Sequence, residues 1–306
     1  AMKREGYPAP FAVGVASISS ILGPIIPPSI VLIVYASITN VSVAELFLGS
    51  VLPGIILAVA LIAYGLYYGH KHNLPAHEKP NLRKIGASVR KGIWALLMPI
   101  IILGGIFGGI FTPTEASAVA TIYALIISVL VYKSMDLKTF LQCLKESAIS
   151  SANTLFIIGT STLFTYVMAK EGISALIANT ITGVSSNPAV VMFIINIILL
   201  ILGMVMEPGA ILTLMLPVLL PIADTMGYNL VYFGVVVVLN LMIGQVTPPF
   251  GVCLFVISDV NKIKLERIYK SILPFLVPLL ITLAVTCIFP QVVTFLPDML
   301  LGATAA

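Results

Sequence analysis

Long apolar runs alternate with short polar intervals along the chain, and the runs define its elements. They predict helical spans over 8–38, 43–69, 93–111, 116–133, 148–168, 188–206, 230–258 and 272–296. Each run has the roughly 18 or more residues needed to cross a hydrocarbon core about 30 Å thick. Between two of them, 134–147 places Leu137, Phe140, Leu141 and Leu144 around Lys138 and Lys145. That pattern fits an amphipathic helix lying at the inner membrane surface, and equally an ordinary connector helix. Residues 170–187 read as an outer connector.

An internal repeat underlies the pattern. At an offset of 221 residues, 1–68 lies over 222–289 without a gap. Gly6-Tyr7 falls on Gly227-Tyr228, Gly23 on Gly244, and Pro27-Pro28 on Pro248-Pro249. Glu45, Ser50, Leu52 and Pro53 then meet Glu266, Ser271, Leu273 and Pro274. Apolar stretches coincide by chance; glycines and a double proline held in one register do not. The second copy follows an apolar stretch at 188–221, whose counterpart for the first copy is expected upstream of Ala1.

Charge orients the spans. Lysines and arginines cluster at 3–4, 71–91, 133–145 and 262–270, leaving only Lys170 elsewhere. The first three clusters share one side if each intervening span crosses once. The fourth joins them only if 188–223 dips in and returns, which keeps Lys262, Lys264, Arg267 and Lys270 inside. Segments 188–205 and 210–223 are therefore expected to be the arms of a re-entrant hairpin with Met206-Glu207-Pro208-Gly209 at its tip. Irregular backbone at that depth persists only inside protein or along a cavity. The repeats are then inverted, as in many secondary transporters.

The expected fold is an all-α polytopic membrane protein with inverted repeats, a re-entrant hairpin and broken helices. It divides into 1–69 (the C-terminal part of the first repeat), a cytoplasmic loop at 70–92, and the second repeat at 93–306. Composition agrees: 59% of the 306 residues are hydrophobic and 9% charged, against about a quarter charged in soluble domains. Net charge is +4, but no basic tract interleaved with aromatics suggests nucleic acid. Cys143, Cys253 and Cys287 form no CxxC spacing and read as free thiols. His70, His72 and His77 lack metal-ligand spacing and read as solvated. No HExxH, GxSxG or Walker loop is present, so catalysis has no support.

Chemistry concentrates where each repeat breaks a span, at LGPIIPPS (22–29) and IGQVTPPF (243–250). A proline ring clashes with the carbonyl four residues back and offers it no N–H. Pro27 and Pro28 are expected to free the carbonyls of Gly23 and Pro24; Pro248 and Pro249 those of Gly244 and Gln245. A hard cation such as sodium suits such oxygens, while the half-helix beginning at the break faces an anion with its N–H groups. Ser19, Ser20 and Ser29 add hydroxyls around the first break and Thr247 beside the second. A packed kink is the plain alternative for each motif. Glu207 at the hairpin tip reads as a cation ligand, proton carrier or ion-pair partner, or else as a loop acid at the outer surface.

Two further segments carry polar signals. Ser150, Thr154, Ser161 and Thr165 share one helical face, which suggests helix packing first and solute contact second. In TPTEA at 112–116, Thr114 reads as the N-cap of the next helix with Glu115 in its first turn.

The runs KREGYPAPFAVGVASISSILGPIIPPSIVLIVYA (3–36), GGIFTPTEASA (108–118), MEPGAILTLMLPVLLPIADTMGY (206–228) and VVVLNLMIGQVTPPFGVCLFVIS (236–258) resemble the large membrane subunit of TRAP (tripartite ATP-independent periplasmic) transporters. The resemblance implies an elevator-type, sodium-driven importer of an organic acid, of sialic acid or C4-dicarboxylate type, in a bacterial inner membrane. It also implies a small membrane partner subunit and a soluble periplasmic binding protein. Sodium would sit between each hairpin tip and the following break, carrying over to Gly23 and Pro24 on one side. On the other side it carries over to Glu207, Gly209, Gly244, Val246 and Thr247. Ser19, Ser20, Ser29 and Thr247 would face the substrate. The family's first hairpin has no counterpart here. A stand-alone symporter of the same superfamily, or a membrane enzyme or scaffold, are the competing readings.

Overall fold

The computed structural model describes residues 2, 6–72, 74 and 82–302, and every regular element among them is helical. The chain runs through α1 (Ala9–Ser20), α2 (Leu22–Ile25), α3 (Ile30–Thr39), α4 (Val43–Lys71), α5 (Leu82–Phe107) and α6 (Pro113–Ile126). A π-helical turn at Ile127–Val131 prolongs α6, and α7 (Leu137–Lys170) and α8 (Ile173–Val184) follow. The hairpin is α9 (Pro188–Val205) and α10 (Pro208–Thr225); then come α11 (Leu230–Gly244), α12 (Val252–Asn261), α13 (Leu265–Ile288) and α14 (Gln291–Leu301). Among the described residues seven stretches are long and apolar enough to cross a bilayer, counting 9–39 as one interrupted stretch. The expectation of an all-helical polytopic membrane protein holds. Lys3, Arg4 and His77 lie outside the described residues.

The chain divides into two compact units, Ala1–Pro75 with Ser161–Ala306, and Ala76–Thr160. In the first, α11 is the centre: every residue from Val231 to Gly244 is buried. A helix apolar on all sides must be surrounded, and α2, α3, α4, α9, α10, α13 and α14 surround this one. Small residues set the closest approaches. A methyl on Gly203 would meet the Leu241 carbonyl oxygen at 3.1 Å, and one on Gly49 would meet Val293 at 2.9 Å. In lipid, where apolar burial between helices gains little, such tight backbone contact is a main source of cohesion. Among the buried polar groups, Tyr35 donates to the Leu230 carbonyl (2.8 Å), and the Asn240 amide nitrogen donates to the Asn196 carbonyl (2.9 Å).

In the second unit, α5 and α6 pack together and Tyr123 donates to the Trp94 carbonyl at 2.7 Å.

Several boundaries depart from the expectations for physical reasons. The N-cap of α6 is Thr112 rather than Thr114. Pro113 fits the first helical position, and Thr112 and Glu115 exchange hydrogen bonds in a capping box. The surface helix expected at 134–147 and the span at 148–168 are one continuous α7, because no proline or glycine separates them. Asp136 caps its start by accepting from the Thr139 N–H (2.8 Å), and hydrogen bonds from the Thr139 side chain and N–H hold that carboxyl below its usual range. Of the α7 hydroxyls, Thr154 and Thr160 donate to carbonyls of their own helix, and Ser161 is buried. The last predicted span splits at Phe289-Pro290, where the residue before proline leaves helical geometry. The span expected at 93 begins at Leu82, and the connector at 170–187 contains α8, started by Gly172 at positive φ.

Gly234 lies against the Tyr35 ring, where an added methyl would sit 2.4 Å from Cε1. Gly234→Ala is expected to destabilise the protein by about 1–3 kcal/mol through overpacking. Gly65→Ala, with nothing within 4 Å of the new atom, should be neutral or stabilising by up to about 1 kcal/mol. Thermal unfolding in detergent compares the two, and equal midpoints would remove the steric account.

Candidate functional site

The site is built where α11 stops. Its last turn tightens, with the Val246 N–H on the Ile243 carbonyl (3.2 Å) and the Thr247 N–H on the Gly244 carbonyl (3.0 Å). Thr247-Pro248-Pro249 then leave helical geometry, the Pro248–Pro249 bond being cis, until α12 starts at Val252. Gly251 closes the turn at φ +60°, where a side chain would strain the backbone. A Cβ there would also lie 2.9 Å from the Gln245 carbonyl oxygen and 3.1 Å from that of Thr247. Two main-chain oxygens thus converge under a position that only glycine fits. Tyr269 of α13 donates to the Pro249 carbonyl and fixes the far side of the turn.

The hairpin tip is fastened to this turn. The Gln245 amide nitrogen donates to the carbonyls of Gly203 (2.7 Å) and Met206 (2.8 Å), and the Gly251 N–H donates to that of Met204 (2.8 Å). These are end carbonyls of α9, which have no partner within their own helix. At the opposite end Tyr228 donates to the Pro188 carbonyl, so the two feet of the hairpin meet beside the start of α11. Segment 188–225 is therefore a helical hairpin closed at its feet. Its tip lies beside the break, about 22 Å along α11 at about 1.5 Å per residue.

The tip is short. Met206 and Glu207 join the arms, and Glu207 is the N-cap of α10, its carboxylate accepting from the Ala210 N–H at 2.9 Å. A carboxylate is well placed there, since the helix start carries partial positive charge. Both carboxylate oxygens fold over Gly209, where a Cβ would lie 3.0 and 3.3 Å from them, and the Gly209 carbonyl accepts from the Thr213 hydroxyl at 2.8 Å.

The first break has the same local form. Gly6 and Gly227 both take positive φ, and the Tyr7 and Tyr228 N–H groups bond the carbonyls of Met2 and Ala223, again 221 residues apart. Pro27–Pro28 is cis like Pro248–Pro249. Ser29 is buried as the N-cap of α3, donating to the Pro24 carbonyl and accepting from the Leu32 N–H. Ser20 donates to the Ser17 carbonyl (2.6 Å), and its hydroxyl is within hydrogen-bonding reach of Cys253 at the start of α12. Through this contact the two breaks are neighbours. Ser19, Ser20 and Gly23 are exposed.

A family model described as "Tripartite ATP-independent periplasmic transporter, DctM component" matches residues 1–292. The chain belongs to the DctM family. It is 39% identical over 302 residues to the sialic acid TRAP transporter permease protein SiaT of Haemophilus influenzae, covering 98% of this chain and 49% of that protein. It is 38% identical to the sialic acid TRAP transporter large permease protein SiaM of Vibrio cholerae. It is 40% identical to the C4-dicarboxylate TRAP transporter large permease protein DctM of Pseudomonas aeruginosa. The chain spans about half of the first relative's length and 70% of each of the other two. The family is one of transporter permease components, not enzymes.

In this DctM-family chain, Gly244, Val246 and Thr247 share one turn, with Glu207 and Gly209 in the tip bonded to it. Gly23, Pro24 and Ser29 share the first break. Three of the four carbonyls expected to be free are not without donors. Pro24 accepts from Ser29, Gly244 from the Thr247 N–H, and Gln245 from the Cys253 N–H at 3.2 Å. The broken chain curls until later donors reach back, yet each carbonyl keeps a second lone pair. Thr247 donates its hydroxyl proton to the Ile243 carbonyl (2.7 Å), which leaves its oxygen lone pairs for an incoming cation. Val246 has a fully buried side chain and offers only its carbonyl. Among the described residues no three His, Cys, Asp or Glu side chains cluster, so the donors are neutral oxygens and one carboxylate.

Sequence reasoning missed Gln245, Gly251 and the Asn196–Asn240 pair. A glutamine beside a double proline was signal enough for the first, had its side chain been matched to the end carbonyls of α9. The asparagine pair flanks a cavity of about 830 Å³ between α9, α11 and α13, and the Asn240 Oδ1 is buried there without a donor.

Gln245→Ala removes both donors from the Gly203 and Met206 carbonyls. An unsatisfied buried acceptor costs about 1–3 kcal/mol, so the variant should unfold at lower temperature and its 204–210 amides should exchange faster. Parental exchange at the tip would refute the fastening.

Proposed function

We propose that this chain is the transport subunit of a sodium-coupled secondary transporter, the large membrane component of a tripartite system in a bacterial inner membrane. The observation that carries the reading is the fastening of a hairpin tip to a helix break by Gln245 and Gly251. Such a joint gathers carbonyl and hydroxyl oxygens with no net charge of their own, which suits a monovalent cation. Sodium is held by carbonyls of the break, with Gly244, Val246 and Thr247 as ligands and Glu207 and Gly209 facing it from the tip. Gly23 and Pro24 serve a second ion at the first break. A bound cation beside the half-helix starts of α10 and α12 attracts an organic anion, for which Ser19, Ser20, Ser29 and Thr247 supply hydroxyls.

The shared register of the two breaks, with matching turns and matching cis bonds, supports inverted repeats. Rigid-body, elevator-type displacement of the unit holding both breaks follows from that reading. The named relatives support an organic acid of sialic acid or C4-dicarboxylate type. The tripartite family description supports a periplasmic binding protein that delivers the acid, and a small membrane subunit as partner.

Thr247→Ala is expected to raise the sodium concentration for half-maximal uptake about ten-fold, equal to about 1.4 kcal/mol, while Thr247→Ser stays near the parent. The measurement is uptake by proteoliposomes holding the assembled transporter with its binding protein. Superimposable sodium curves for parent and Thr247→Ala would sink the assignment. Glu207→Gln should slow uptake in the same assay, and parental rates would reduce the acid to a helix cap.

A further inference from the structure

We propose that the pocket between the start of α1, the end of α4 and the start of α13 binds the phosphate of an anionic lipid headgroup. This site is separate from the helix breaks and rests only on the chain's being a membrane protein. Its cavity is about 420 Å³, and Arg267, Lys270, His72 and Ser271 supply its polar lining. Among the described residues no carboxylate lines it. Among the described residues neither Arg267 nor Lys270 is in an ion pair, whereas nearby Lys262 is paired with Asp259 at 2.7 Å. Two cations facing one small cavity repel each other, and an anion between them relieves that repulsion. Arginine matches a phosphate in particular, since its planar fork makes two parallel hydrogen bonds.

The rest of the pocket indicates what carries the phosphate. Its walls are Pro8, Pro10, Phe11 and Tyr68, an apolar surface that inorganic phosphate has no use for and that glycerol and acyl carbons cover. Phe11 stacks on Tyr68 (ring centroids 5.0 Å apart), Tyr68 meets His72 (4.2 Å), and Tyr64 meets Phe275 edge-on (4.9 Å). Tyrosines gather at the depth where hydrocarbon gives way to headgroups. Tyr64, Tyr67 and Tyr68, gathered at the end of α4, put the pocket at that depth. Farther along the same helices, away from this end, Ile62 of α4 (62% exposed) and Val277 of α13 (55% exposed) offer apolar flanks for acyl chains. Basic pockets between spanning helices are the usual means of holding acidic headgroups.

The test uses the intact transporter complex in detergent and native mass spectrometry, with phosphatidylglycerol, phosphatidylcholine or inorganic phosphate added. The parent is expected to retain phosphatidylglycerol over phosphatidylcholine. Each lost cation should weaken retention about five-fold, so R267Q/K270Q should fall at least ten-fold and K270Q alone by less. K138Q/K145Q, on α7, should match the parent. Arg267 and Lys270 are exposed, and an unchanged unfolding temperature in neutral lipid checks that the variants fold; if the double variant does not, K270Q alone decides. Equal retention by parent and variants overturns the proposal. Displacement of the lipid by millimolar inorganic phosphate overturns the lipid as its source.

Discussion

A helix interrupted inside an apolar interior leaves backbone groups that no water can reach, and the structure depends on how those groups are paired. At the break after α11 the pairing is done across elements. The Gln245 side chain serves two end carbonyls of α9, and the Gly251 N–H serves a third. Each bond adds only about 1 kcal/mol net, but each would cost more if left unmade, and that asymmetry holds the arrangement together. Hairpin tip and break cannot shift independently without exposing buried acceptors.

This joint also explains why the site is polar without being charged. The oxygens that converge under Gly251 belong to the main chain, so their positions are set by the fold rather than by flexible side chains. Thr247 spends its proton on Ile243 and keeps its lone pairs outward. Glu207, the one acid at the tip, lies against the start of α10, where the helix's own partial charge steadies it. A cation entering here would replace water with fixed dipoles, and its arrival would change the field felt by an anion at the adjoining half-helices. That is the physical content of the proposed coupling.

Away from the joint, cohesion comes from close backbone approach and aromatic packing. Gly203 against Gly244 and Gly49 against Val293 bring helix axes together where larger residues would hold them apart. At the end where α4 stops and α13 starts, rings and cations replace aliphatic side chains, the transition expected at a membrane surface. His72, Arg267 and Lys270 come from basic clusters far apart in sequence, yet they line one pocket.

The sequence by itself determined the class, the helices and the breaks. Composition demanded lipid contact, and the double prolines stopped α2 and α11 because a ring without an N–H cannot continue a helix. The hairpin arms were legible to within a few residues, since Pro188, Pro208 and Gly209 punctuate them. It did not determine which groups answer the breaks. The carbonyls of Pro24, Gly244 and Gln245 were expected to be free because proline removes the local donor; Ser29, Thr247 and Cys253 supply donors by chain reversal, which periodicity does not encode. The continuity of α7 and the choice of Thr112 over Thr114 turned on small local energies that favour neither reading strongly. Only the tertiary structure decided that Gln245 reaches α9, that Ser20 meets Cys253, and that Asn196 faces Asn240. These are meetings of residues tens or hundreds apart, fixed by how glycine-lined helices pack rather than by what any segment prefers alone.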